Sequence, residues 1–217
     1  MNEKVFADVT AVADDPILSL TGKFLADPRD CKVNLGVGMY LDETGVTPVL
    51  NVVRKAKEAI AKENTPHSYI PQTGFPLYDS LVQKLIFGVD SEVVTSGRAC
   101  TVQTLGGTGA LKLGCDLMHW ACGLKLGASS IPTWTNHNDI LRLAGYAVQG
   151  YRYYDAEQNA VNFEAMVEDL KALSENTLVI LHACCHNPTG YDLNLDQWQE
   201  VIDICNARSL VPFLDIA

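Results

Sequence analysis

The chain has 217 residues, of which 47% are hydrophobic and 19% charged, with a formal net charge of −10. This balance excludes a disordered polymer and suits one substantial domain, or a large domain with a small appendage. The negative charge argues against nucleic acid or an anionic membrane as the main partner, but small anionic ligands stay open because they need only local positive potential.

Residues 1–30 read as an arm with a short helical segment bearing Pro16, Leu18, Leu20, Phe24 and Leu25. Residues 32–41 (KVNLGVGMYL) predict a short strand containing Gly36 and Gly38, and 42–45 (DETG) a turn. Thr47 is expected to cap a helix with Pro48 at its first position, running to about residue 63 on Val49, Val52, Val53, Ala56, Ala59 and Ile60. After a proline-rich loop (64–76), a second helix over about 76–87 is expected to bury Leu77, Leu81 and Leu85. A strand at 98–104 then leads through the glycine turn LGGTG into a helix, and 125–135 read as a strand and a loop ending Pro132-Thr133-Trp134.

Asn138–Gly145 predict a short helix and Tyr146–Tyr154 a strand. Asn162 caps a helix to Leu173 with Phe163, Met166, Val167, Leu170 and Leu173 facing a core. Strands at about 177–183 and 210–215 flank a helix at 195–208, lined on one face by Leu195, Trp198, Val201, Ile202 and Cys205. Pro212 counts against a central strand, and only a local bulge offers it room. The alternation implies an α/β sheet covered by helices on both faces.

The residues that suggest chemistry cluster where strands give way to loops. Gly106-Gly107-Thr108-Gly109 opens a helix, where free N–H groups and a hydroxyl suit a phosphate, although a tight turn for close packing explains the same glycines. Trp134 suits stacking on a flat ligand or filling a core, with His137 three positions on. His182, Cys184, Cys185 and His186 invite a metal reading, but no CxxC or second ligand pair accompanies them, and no metal site is expected. Asp215 ends an apolar strand, where a buried carboxylate needs a cationic or hydrogen-bonding partner, and Asn187 falls at the same carboxyl edge of the final βαβ unit.

Seven cysteines at irregular spacing read as free, mostly buried thiols of a reducing compartment. The N-terminus lacks the basic-then-apolar order of a secretory signal, and no apolar run approaches a membrane span, so a cytoplasmic location is expected. The last residues, LVPFLDIA, stop inside or just after an expected buried strand, so the chain is expected to be a piece of a longer protein.

From about Phe6 to Ala217 the sequence resembles the aspartate and aromatic-amino-acid (tyrosine) aminotransferases, pyridoxal-phosphate enzymes of fold type I. The resemblance rests on ordered blocks: DPIL (15–18), VNLGVGMYLDETG (33–45), TPVL (47–50), SYIP (68–71), QTLGGTGALK (103–112), PTWTNH (132–137), YYDAE (153–157), HACCHNPTGYDL (182–193), DQW (196–198) and PFLDIA (212–217). TLGGTGALK and PFLDIA look closer to the aromatic branch of bacterial type. The resemblance implies a mixed, mostly parallel sheet, with an arm and part of a small domain at 1–47 and the first part of a large cofactor-binding domain at 48–217. It also implies a homodimer acting on an amino acid and a 2-oxo acid.

By the same resemblance, Gly107 and Thr108 would hold the cofactor phosphate, Trp134 would stack on the pyridine ring, and Asn187 would bond its phenolic oxygen. Asp215 would pair with the protonated ring nitrogen, supported by His137. Tyr69 would reach the phosphate of a neighbouring subunit, and Gly38 would contact the substrate near its α-carboxylate. Substrate contacts are implied for Trp134 and Asn187 as well. Three departures stand out: Leu41 replaces a basic residue, CGLKLGASSIPTW differs from the usual strand, and the Schiff-base lysine has no counterpart in this chain. No appreciable turnover is therefore expected of the chain alone, and the rival reading is a non-catalytic protein that binds cofactor or a full-length partner.

Overall fold

A computed structural model describes residues 7, 9–10, 18–34, 36 and 38–217, so the expectation for Pro16 lies outside the described residues, as does that for the side chain of Leu18. The chain divides into two units, Met1–Ser68 and Tyr69–Ala217. The first holds helices α1 (Leu18–Ala26) and α2 (Asn51–Glu63). Its described residues between 32 and 41 form no strand, while the DETG turn is closed by Gly45 N–H donating to Asp42 O and by Asp42 Oδ1 accepting from Thr44. Helix α2 begins later than Thr47-Pro48 suggests: Leu50 occupies the cap position and its carbonyl accepts the first helical bond, from Arg54 N–H. Pro48 and Val49 stay outside the helix, so Thr47 is too far back to cap it.

The second unit opens with α3 (Pro76–Phe87), which has proline in its first turn, and the short α4 (Glu92–Thr95). Leu77, Leu81 and Leu85 do not lie in a core; all three are exposed, Leu85 at 81%. The helical period identifies the apolar face but not what covers it, and within this unit no described element does. Residues 98–104 form no strand either. Side chains and loops take up their backbone groups instead: Gln83 Nε2 donates to Ala99 O (3.3 Å), and Gln103 N–H donates to Thr73 O (2.8 Å).

From Gly106 onward the chain alternates. Helix α5 (Gly106–Asp116) runs into a π-helical turn (Leu117–Ala121), followed by β1 (Leu126–Ile131), α6 (Thr135–Leu143) and β2 (Ala147–Arg152). A small antiparallel pair, β3 (Tyr154–Asp155) and β4 (Ala160–Val161), precedes α7 (Phe163–Ala172), β5 (Thr177–Cys184), α8 (Leu195–Ala207) and β6 (Val211–Ile216). Asn162 caps α7 by accepting from Ala165 N–H, and Asn194 with Gln197 forms a reciprocal capping box on α8.

The four-stranded sheet has the order β2-β1-β5-β6, all parallel. Both faces are covered, as the unbroken apolar run of β5 requires. Leu178 and Ile180 enter a core with Leu111, Cys115, Ile140 and Leu141 of α5 and α6, while Val179 and Leu181 enter one with Met166, Leu170, Val201 and Ile204 of α7 and α8. Each such aliphatic side chain contributes about 1.5–3 kcal/mol on burial. Leu195 and Ile202, expected on the buried face of α8, are exposed; Val201, Ile204 and Cys205 form it. Pro212 is accommodated because β6 is an edge strand among the described residues; the register irregularity falls at His182–Cys184 instead. The seven cysteines are free, but only Cys115 and Cys205 are buried.

On the α5/α6 face, residues of β5 and β6 stand side by side in matched rows. Leu178 pairs with Val211, Ile180 with Phe213, and His182 with Asp215. The apolar rows therefore end, at the carboxyl edge, in an imidazole beside a carboxylate.

Candidate active site

Parallel α/β sheets bind ligands beyond the carboxyl ends of their strands, and four segments meet there. Trp134 follows β1, Asn187 follows β5, Asp215 lies near the end of β6, and Gly107 is in the first turn of α5. With Leu111 and His182 they line a cavity of about 450 Å³ that also borders Ile216 and Ala217.

Asp215 is the electrostatic centre. His137, wholly buried on α6, places Nε2 at 2.9 Å from Asp215 Oδ2. A carboxylate only accepts, so Nε2 carries the hydrogen. Thr133 Oγ1, 2.8 Å from Nδ1, holds the other side of the ring. The hydrogen bond from His137 keeps the Asp215 carboxyl below the usual carboxylate range, against the opposing effect of burial. Trp134 meets the His137 ring edge-on at 5.4 Å between centroids, so one short helix start orients both the indole and the imidazole.

The loop that carries Asn187 is fixed by its neighbours. Asp192 accepts from the Cys185 and His186 N–H groups (both 2.8 Å), and Gly190 N–H closes the turn onto His186 O (2.7 Å). His186 is 2% exposed and stacks on Tyr153 at 4.0 Å. Ser130 Oγ donates to Pro132 O and so must accept from His186 Nε2–H at 2.9 Å. Nδ1 is left to accept from Thr189 Oγ1, 2.8 Å away. That proton count describes a neutral imidazole, in keeping with burial driving its pKa down to about 4.

At α5, Gly106 adopts φ +68°, and Leu105 in the cap position offers no side-chain bond to the first turn. Gly106 N–H donates to Thr104 O (3.0 Å), and the N–H groups that follow it in the first turn are left for another acceptor. A Cβ added at Gly107 would meet nothing within 4 Å. Thr108 is exposed in the same turn but does not line the cavity.

Tyr69 of the same unit is not among the residues that line the cavity. Tyr69 is fully exposed at the start of the second unit, and Gly38 is an exposed residue of the first. His182, read from sequence only as one of a histidine–cysteine group, is a cavity residue, 9% exposed, with neither ring nitrogen partnered among the described residues. Its signal was a polar residue on the apolar side of a strand. Leu111 and Thr133 carried no signal of their own.

The fold and cavity define an α/β protein with a ligand cleft at the carboxyl edge of a parallel sheet, floored by a histidine-supported carboxylate. A family model described as aminotransferase class I and II matches residues 30–217, and the chain belongs to that family. Aspartate aminotransferase of Pseudomonas aeruginosa is 48% identical over 213 residues, covering 98% of this chain and 54% of that protein. Aromatic-amino-acid aminotransferase of Escherichia coli is 44% identical over 216 residues. A crystal structure of aromatic-amino-acid aminotransferase from Burkholderia pseudomallei covalently bound to pyridoxal phosphate aligns with a TM-score of 0.94 at 48% identity, over 98% of this chain and 53% of that one. The chain spans about half the length of the curated relatives it matches.

Proposed function

We propose that this chain carries the cofactor floor of an aminotransferase that moves the amino group of aspartate or an aromatic amino acid to 2-oxoglutarate through pyridoxal phosphate. The observation that carries the reading is the Asp215 carboxylate, held anionic by His137 in a cavity that also presents Trp134, Asn187 and the open glycine turn of α5. These residues fit that cofactor on chemical grounds. An anionic carboxylate suits a protonated ring nitrogen, an indole suits a flat ring, and an uncapped helix start suits a phosphate. The cavity volume lies within the roughly 300–1,000 Å³ usual for small-molecule sites.

Bound pyridoxal phosphate supplies an electron sink for the negative charge that develops at an amino acid's Cα. Asp215 would hold the proton on the ring nitrogen, and His137 with Thr133 would fix the carboxylate's direction. Trp134 would cover one ring face and exclude water. Asn187 would donate its amide to the phenolic oxygen, while Gly107 N–H and the Thr108 hydroxyl would take the phosphate. Gly38 is assigned to the substrate α-carboxylate, and Tyr69, free of contacts that would bury it, to the phosphate site of a second subunit in a homodimer.

No lysine is among the residues lining the cavity. The chain alone would therefore lack both the covalent anchor and the amine that moves the Cα proton, and it would not turn over. The proposed organisation is an arm and part of a small domain at 1–47 and the first part of the large domain at 48–217, in a cytoplasmic enzyme. No helix among the described residues is long and apolar enough to cross a membrane.

Transamination assays with aspartate, tyrosine and phenylalanine against 2-oxoglutarate test the reading. They are run on the chain alone and on the chain joined to the complementary half of the Pseudomonas aeruginosa relative. The expected result is activity only in the joined protein. A joined protein that folds and shows cofactor absorbance yet transfers no amino group would refute it.

A further inference from the structure

His137, His182 and Asp215 bring one ligand atom each within 4.8 Å of one another. We propose that these three side chains form a binding site for a zinc-class divalent metal ion. The metal would occupy the cavity floor in place of the cofactor; that competition rests on the function proposed above, whereas the metal site itself does not.

Three independent features support the assignment. The first is placement. His182 and Asp215 are register partners on adjacent parallel strands and line the same cavity, while His137 reaches them from α6. Two strand residues and one helix residue thus converge from different elements, leaving the cavity side open for water or a further ligand.

The second is His182 itself. It is 9% exposed, and both ring nitrogens are buried with no hydrogen-bond partner among the described residues. A buried imidazole with neither nitrogen paired forfeits the hydrogen bonds it makes in water. Its neighbours are ring faces and edges, His137 at 5.0 Å and His186 at 4.3 Å, and neither ring offers it a hydrogen bond. A metal ion in the cavity is a partner that a neutral imidazole can accept.

The third is the donor chemistry. Two imidazoles and one carboxylate select zinc, nickel or copper over magnesium or calcium, which favour oxygen ligands. Asp215 supplies the negative charge. Thr133 Oγ1, 2.8 Å from His137 Nδ1, stands where an outer-shell partner orients a metal-ligating histidine. Binding would break the bond from His137 Nε2–H to Asp215, and the ring hydrogen would be carried on Nδ1 instead, donated to Thr133 Oγ1. The geometry asks for a modest change. With bonds of about 2.1 Å, ligand atoms around a tetrahedral ion lie about 3.4 Å apart, so a separation of up to 4.8 Å must close by about 1.4 Å. His137 and Asp215, 2.9 Å apart, would open by about 0.5 Å as the ion replaces the hydrogen between them, and the closing movement falls to His182.

The test is calorimetric titration of the chelator-treated 217-residue chain with zinc alone, followed by addition of pyridoxal phosphate. One zinc per chain is expected. His182→Ala and Asp215→Ala should each weaken it at least about 100-fold, and Thr133→Val only about ten-fold, the lower end of the range typical of outer-shell partners. His67→Ala and the double change Cys184→Ser/Cys185→Ser should leave the affinity unchanged. Cobalt(II) bound to the unaltered chain should show ligand-field bands without a thiolate charge-transfer band, a readout that does not depend on any variant folding. A thiolate band, or full affinity in His182→Ala, overturns the site. Zinc binding that pyridoxal phosphate weakens supports the competition. Zinc binding in a chain that takes no pyridoxal phosphate upholds the site and refutes the proposed function instead.

Discussion

The imidazole of His137 and the carboxylate of Asp215 are 78 residues apart in sequence and 2.9 Å apart in space, one fully buried on a helix and the other at the end of an edge strand. This contact holds the carboxyl below its ordinary range and aims it at the cavity. The sign of its pH effect follows. A carboxyl whose folded pKa is depressed contributes stability that is present above its unfolded value, near 3.9, and lost as pH falls through the folded one. His137→Phe should raise the Asp215 pKa, measured by NMR titration of the carboxyl carbon, and destabilise the protein at neutral pH by about 1–3 kcal/mol. An unchanged Asp215 pKa in that variant would show that burial, not His137, sets it.

His186 makes the opposite kind of demand on pH. Its folded pKa, driven down to about 4 by burial, lies below the 6.5 of an unperturbed imidazole. Between those values the unfolded chain binds a proton that the folded chain does not. Stability should therefore fall as pH drops from about 6.5 to about 4, by roughly 3 kcal/mol in all. Urea denaturation across that range should show the slope, and His186→Gln should flatten it.

Gly74 is a backbone constraint outside the cavity. It adopts φ +106°, and an added Cβ would fall 2.3 Å from the Cβ of Gln103, whose side chain accepts from Phe75 N–H. Strain and collision act together, so Gly74→Ala should cost about 1–3 kcal/mol. Gly22→Ala, inside α1 where an added Cβ meets nothing within 4 Å, should instead stabilise by about 0.5–1 kcal/mol and raise the chemical-denaturation midpoint.

The parts of the fold legible in the sequence were those where one periodicity met one cap. Asn162 announced α7, and the apolar run of β5 announced a strand buried on both faces. The convergence of Trp134, Asn187, Asp215 and Gly107 was legible because all four stand at element ends, where a parallel sheet collects them. Residues 98–104 misled because their apolar and β-branched composition fits a strand, yet strand pairing is a property of neighbours that local composition does not contain. Leu77, Leu81 and Leu85 misled for a related reason, since a helical period does not supply a covering surface. His182 was hidden in a run of histidines and cysteines; only the pairing of β5 with β6 sets it beside Asp215.

The most direct test of the cofactor floor is a titration of the chain with pyridoxal phosphate, followed by the fluorescence of its tryptophans and by the induced circular dichroism of the cofactor. The account predicts saturable binding of one cofactor per chain, quenching that is lost in Trp134→Leu, and an affinity at least about ten-fold weaker in Asp215→Ala, as expected for a lost charge-assisted bond. Binding that is not saturable, or an affinity that Asp215→Ala leaves untouched, would contradict it.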